Sequence, residues 1–186
     1  MVKNKTYNNV INTLLRIGEY HDQISTTSVG DIWNVDEKNT KFPLLHINPT
    51  SVTTGDSQLV YNFQIFIMDM VTERADWTKT GLSRFVEPVG FEKLVKTLSN
   101  EQDVLNETLQ ICTDLIGILR HSSLQSLEGV NDINEPLYFT QDQFTIEPFS
   151  ERFDNLCCGW VFNIGVLVQN DFQTCEIPSI KRGAGY

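Results

Sequence analysis

The stretch from Ser57 to Met70, SQLVYNFQIFIMDM, decides how the rest of the chain is read. It contains neither Gly nor Pro and is rich in aromatic and branched side chains, which suit a pleated, half-buried surface. Read with a period of two, Leu59, Tyr61, Phe63, Ile65 and Ile67 form one wholly apolar face. Val60, Asn62, Gln64, Phe66, Met68 and Met70 form a mixed face. That alternation predicts a strand packed on one side. The mixed face turns apolar at its distal end, where it is expected to meet another element or another subunit.

A second stretch repeats the pattern. In Gly159 to Gln169, GWVFNIGVLVQ, one face carries Trp160, Phe162, Ile164, Val166 and Val168. The other carries Val161, Asn163, Gly165, Leu167 and Gln169. Two strands of the same kind predict one antiparallel sheet, and two helical segments supply its cover. From Thr6 to Tyr20 the stripe is Tyr7, Val10, Ile11, Leu14, Ile17 and Leu15, with Asn8, Asn9, Asn12, Thr13 and Arg16 outside. Thr6 is its expected N-cap, and Gly18 sits near its end. Ser99 to Gln102 reads as a capping box, Ser-x-x-Gln, opening a helix that runs to about Arg120. Its stripe is Leu105, Leu109, Cys112, Ile116 and Leu119, broadened by Val104, Ile111 and Leu115. Arg120 and His121 lie where positive charge suits the helix dipole. The expected fold class is therefore α+β, a mainly antiparallel sheet with two amphipathic helices packed on one face.

Between these landmarks the expectations are finer. Val29 to Val35 reads as a short strand kinked at Gly30. Phe42 to Ile47 reads as another strand, after which Asn48-Pro49 turns the chain. Thr53 to Asp56 is a further turn, and the strands from Phe42 to Met70 are expected to be antiparallel. Asp69 to Gly90 has no clean period and is expected to be an irregular excursion; the alternative is a short helix over Gly90 to Leu98. Pro136 to Thr140 and Gln143 to Phe149 read as short strands, and Ser150 to Asn155 as a polar crossing. The whole chain, 1–186, is expected to be a single domain with flexible tails at 1–5 and 179–186.

The 186 residues carry a formal net charge of −10. Such a surface repels phosphate and anionic lipid heads, which speaks against generic nucleic-acid or membrane binding. Lys181-Arg182 is the one hint of a local basic patch. No window reaches the roughly 18–20 apolar residues of a membrane span. The start, MVKNKTYNNV, lacks the apolar core of a signal peptide, so the expected compartment is a cytosol. Cys112, Cys157, Cys158 and Cys175 form no C-x-x-C pair and are expected to be reduced, packed thiols. Cys157 and Cys158 would point to opposite faces of a strand.

No signature of catalysis, metal or cofactor binding is found. His21, His46 and His121 lie far apart and lack metal-ligand neighbours at short spacing. No P-loop, G-x-G-x-x-G or G-x-S-x-G occurs. Asp69 ends the apolar face of the long strand and is expected to pair with Arg74 or Arg84, or to cap a turn. Asp69, His46 and Asp154 are the raw material of a cryptic enzyme site, should they converge. The interface candidates are Met68, Met70, Arg74, Trp77, Arg84, Phe85, Lys181 and Arg182; Trp77 and Phe85 are equally readable as core.

The order of segments carries a resemblance: a helix, a strand run with PLLHINP (43–49), a long strand ending in Asp69, an acidic capped helix, then EPF (147–149), DNLCCGWVFNI (154–164) and CEIP (175–178). This layout resembles the small tail-terminator and tail-completion proteins of tailed bacteriophages and the ring proteins that continue their head-to-tail connector. The last two stretches most resemble small structural proteins of crAss-like phages. The resemblance implies a tail-terminator-like fold, no catalytic site and no cofactor. It also implies self-assembly into a closed six- or twelve-fold ring that contacts neighbouring connector or tail proteins. DNA would pass through the channel without sequence-specific binding, and an acidic wall would not hold it. The expected location is the virion, with the host cytoplasm during assembly. The rival readings are a monomeric binding or assembly-accessory module and a small enzyme built on the Asp/His set.

Overall fold

The computed structural model describes residues 7–35, 39–56, 58–72, 99–120, 139–140, 143–153 and 155–169. Its elements are α1 (Tyr7–Glu19), β1 (Thr26–Val29), a 3-10 turn (Ile32–Asn34), β2 (Leu44–Thr54) and β3 (Gln58–Met70). After them come α2 (Glu101–Arg120), β4 (Phe139–Thr140), β5 (Ile146–Arg152) and β6 (Leu156–Gln169). The strands form one sheet in the order β1-β2-β3-β6-β4, with β5 also paired to β6. All pairings are antiparallel except β1 with β2. The chain is α+β, as the alternation predicts.

The two long strands lie side by side over their whole length, from Gln58 opposite Gln169 to Met70 opposite Cys157. Both helices pack on the face bearing Tyr61, Phe63, Ile65, Ile67, Phe162, Ile164 and Val166. Alternation alone aims those side chains one way, and the two stripes close over them. Fully burying a large apolar side chain contributes roughly 1.5–3 kcal/mol, so this layer dominates the stability of the fold. α2 is also tied to β6 by a polar contact, the Trp160 indole N–H donating to the Leu105 carbonyl at 2.7 Å.

Two glycines permit this packing. A Cβ on Gly159 would overlap the Ile67 carbonyl oxygen and stand 2.8 Å from the Met68 Cα. Gly159 therefore lets β6 approach β3 closely. Gly18 is buried inside α1, where a Cβ would strike Thr27 and Leu45. It is a contact surface against the sheet as well as a residue near the helix end.

Several local expectations are corrected. The Asn48-Pro49 turn is absent: β2 runs through it to Thr54, with a register shift between Pro49 and Ser51. Proline lacks a ladder donor, and a bulge beside the outer edge of a sheet accommodates it. The expected strand at Val29–Val35 is instead the end of β1, Gly30 at φ 139° and the 3-10 turn. Asp31 caps that turn, accepting from the Trp33 N–H at 3.1 Å. The polar crossing at Ser150 to Asn155 is shorter than expected, because β5 extends to Arg152 and β6 begins at Leu156.

The helices differ in detail. Thr13, expected outside, is buried and donates to the Asn9 carbonyl. Thr108 is likewise buried and donates to the Val104 carbonyl. Leu109 is only half-buried, and the face of α2 is centred on Ile111, Cys112 and Leu115. α2 begins at Glu101, and the Ser99 hydroxyl of the expected capping box accepts from the Glu101 N–H at 3.5 Å. The Asn100 carbonyl accepts from the Val104 N–H, and the Asn100 side chain accepts from the Thr72 N–H at 2.7 Å. The Thr6 cap, the tails, the body of the 70–90 excursion and the Gly90–Leu98 alternative lie outside the described residues.

Candidate functional site

The second face of the sheet is the candidate functional surface, because the helices leave it free. It is built in rows read from the register. Leu44 with Met68, and His46 with Phe66 and Val161, form one end. Asn48, Gln64 and Asn163 form the next row, then Ser51, Asn62 and Gly165. Among the described residues the first end is covered by the β1–β2 crossover and the remaining rows, apart from Gly165, are half-buried or exposed.

The cover comes from the crossover between β1 and β2. Parallel neighbours require such a connection, and this one lays Ile32 against Leu44, Phe66, Met68 and Cys157. Phe42, Phe149 and Phe153 pack around the cluster. Phe149 meets Phe66 edge-on at 5.2 Å between ring centres. Trp33 lies tilted over Phe153 at 5.9 Å and remains 65% exposed.

His46 pins this cover. Its Nε2 lies 2.9 Å from the Gly30 carbonyl and its Nδ1 lies 2.7 Å from the Ser28 hydroxyl. A carbonyl only accepts, so Nε2 carries the proton and Nδ1 accepts from Ser28. Burial lowers the His46 pKa below its ordinary value, against the opposing pull of the Gly30 carbonyl and of Asp31. Both ring nitrogens are engaged, so the imidazole offers no free base.

Beyond this end the face is mixed, with Asn48, Gln64, Asn62 and Asn163 followed by Val60 and Leu167. Asn62 donates to the Ser51 and Thr53 hydroxyls at 3.1 and 3.3 Å. The Thr50 hydroxyl donates to the Asn62 carbonyl across the bulge. β1 covers the outer edge of β2 only over Leu44–Ile47. From Thr50 to Thr54 the strand is exposed on its outer side, and Ser51–Thr54 pair with Leu59–Asn62 of β3.

Asp69 and His46 do not converge. His46 belongs to the second face, whereas Asp69 follows Ile67 on the helix side and lies opposite Cys158. Burial raises the Asp69 pKa; the Met70 N–H, donating at 2.7 Å, opposes it, and Glu107 adds to it. Asp154, Arg74 and Arg84 lie outside the described residues. Cys112 and Cys158 are buried thiols pushed up to about 12, chiefly by burial. Cys158 donates to the Glu101 carbonyl, while Cys157 points into the opposite cluster, as a strand dictates. Cys175 lies outside the described residues.

Among the described residues no cluster of three or more His, Cys, Asp or Glu could hold a metal ion. Among them too, no helix is long and apolar enough to cross a membrane. A small cavity between the helices and the sheet is lined by Leu14, Ile17, Leu45, Leu115 and Phe162 among others, all apolar. It presents no convergent polar groups of the kind that orient a substrate.

Of the interface candidates, Met68 is fully buried in the second-face cluster and offers no surface. Met70 is 42% exposed at the end of β3. Arg74, Trp77, Arg84, Phe85, Lys181 and Arg182 lie outside the described residues. Trp33 is the surface residue that sequence reading missed, because Val29–Val35 was read as a strand. The signal was present: Gly30-Asp31 before Ile32-Trp33-Asn34 is a turn and a cap.

Compared with known proteins, the chain matches no protein-family model, and no curated protein matches it.

Proposed function

We propose that this chain is a non-enzymatic structural protein that assembles into a closed ring in the head-to-tail connector or tail of a tailed phage. In this reading it bridges neighbouring rings around the DNA channel. The observation that carries it is the outer edge of β2, exposed from Thr50 to Thr54 beyond its pairing with β1. An exposed strand edge and a separate sheet face give a subunit two different surfaces, and head-to-tail contacts between different surfaces can close into rings. The net charge of −10 agrees with a channel through which DNA slides without sticking. The resemblance in segment order supplies the phage assignment, and the tail-terminator likeness is part of the proposal.

Light scattering after size exclusion, across a wide concentration range, tests it, with negative-stain images of the same fractions. A closed ring of six or twelve copies is the expected result. A monomer at every concentration overturns self-assembly as an intrinsic property and favours the monomeric accessory module.

A further inference from the structure

The Trp33 face has the composition and rigidity of a docking surface. Trp33 is held from both sides of its turn: its N–H donates to the Asp31 carboxylate, and the Val35 N–H donates to the Ile32 carbonyl at 3.3 Å. The ring leans on Phe153 at 5.9 Å, and an indole on two rotatable bonds loses little freedom on binding. Half-buried Phe153 lies against it, Phe42 and Phe149 pack on the same Ile32 cluster, and exposed aromatic residues of this kind dominate binding energy at interfaces. Acidic residues lie around it. Asp31 lies at the base of Trp33, and strand alternation puts Glu147 and Glu151 either side of Phe149 on the same face. Lys38, Lys41 and, beside Phe153, Arg152 are the opposing charges nearby in sequence.

A complementary partner brings an aliphatic anchor beside cations and no acid. Residues 177–182 of this same sequence, IPSIKR, have that chemistry, with Ile177 and Ile180 next to Lys181 and Arg182. Residues 177–186 contain no Asp or Glu. In a chain of net charge −10, most surfaces of two copies repel, whereas this segment and the Trp33 face attract. An arginine also stacks favourably on an indole ring. We infer that the Trp33 face docks residues 177–182 of a second copy of the chain. The inference rests on the self-association reading and names one of its contacts.

The test uses the full chain carrying Lys181→Glu and Arg182→Glu, so that its own segment does not compete. A fluorescent synthetic peptide, IPSIKRG, is titrated against it and followed by anisotropy. The expected result is saturable binding, weakened at least about tenfold by Trp33→Ala. Raising the salt from about 0.05 to about 0.3 M should weaken it further. Circular dichroism of Trp33→Ala checks that the fold is intact. No saturable binding, or binding indifferent to Trp33→Ala, overturns the inference even if the wild-type chain forms rings. Trp33-dependent binding by a chain that never forms rings supports the docking contact and removes the ring.

Discussion

The two faces of the sheet share strands and differ in what covers them. The helix-side face is apolar from Tyr61 to Ile67, and α1 and α2 shut it off from water there. The second face is buried and apolar where the β1–β2 crossover lies on it, and beyond mixes amides and hydroxyls with Val60 and Leu167. The first face therefore holds the fold together, and among the described residues the second is the less covered. The composition of each row follows its cover: Phe66 and Met68 lie under Ile32, while Gln64 and Asn62 lie under nothing described.

The sharpest way to break this contrast is to truncate one residue on each face. Phe63→Ala, on the helix side, is expected to lower stability by about 3–5 kcal/mol, read by urea denaturation. Asn62→Ala, its neighbour on the open face, should stay near 0.5 kcal/mol. Equal losses at the two positions would mean that the second face is also core. Met68→Ala belongs to the covered end and should cost about 2–4 kcal/mol, well above any open-face change. Gly159→Ala should cost about 1–3 kcal/mol, because β6 must move away from Ile67 and Met68. A neutral result there would show that the strands part without strain.

Two pH effects separate the faces further and are smaller. The folded-state pKa of His46 is below its ordinary 6.5, so the unfolded chain binds the proton more readily. Its contribution to stability is complete above about pH 6.5 and declines as pH falls towards the folded value. His46→Gln should flatten that part of the stability curve. The folded-state pKa of Asp69 is above its ordinary 3.8, so the sign is opposite. Its contribution is present at low pH and is lost as pH rises through the raised value. Asp69→Asn should therefore stabilise the protein at neutral pH, and a destabilised variant would point to an ion pair with Arg74 or Arg84 after all. The smallest effect is at Trp33, where Trp33→Ala should leave stability within about 0.5 kcal/mol because the side chain is exposed.

The sequence by itself determined the long strands, both helices and which face they cover. Strict alternation in Leu59–Ile67 and Trp160–Val168, and 3.6-residue stripes in α1 and α2, are local geometric patterns that survive without knowledge of neighbours. It did not determine the second face. Pro49 looks like a turn until β2 is known to expose its outer edge there, where a missing donor costs little. Trp33, His46 and Met68 owe their roles to a crossover that turns at Gly30 and lays Ile32 on the sheet, contacts between residues distant along the chain. Asp69 and His46 seemed able to meet until the register put them on opposite faces. Only the tertiary structure decides such questions, because period-two alternation orients a side chain within its own strand, whereas pairing and connection choose what lies above it.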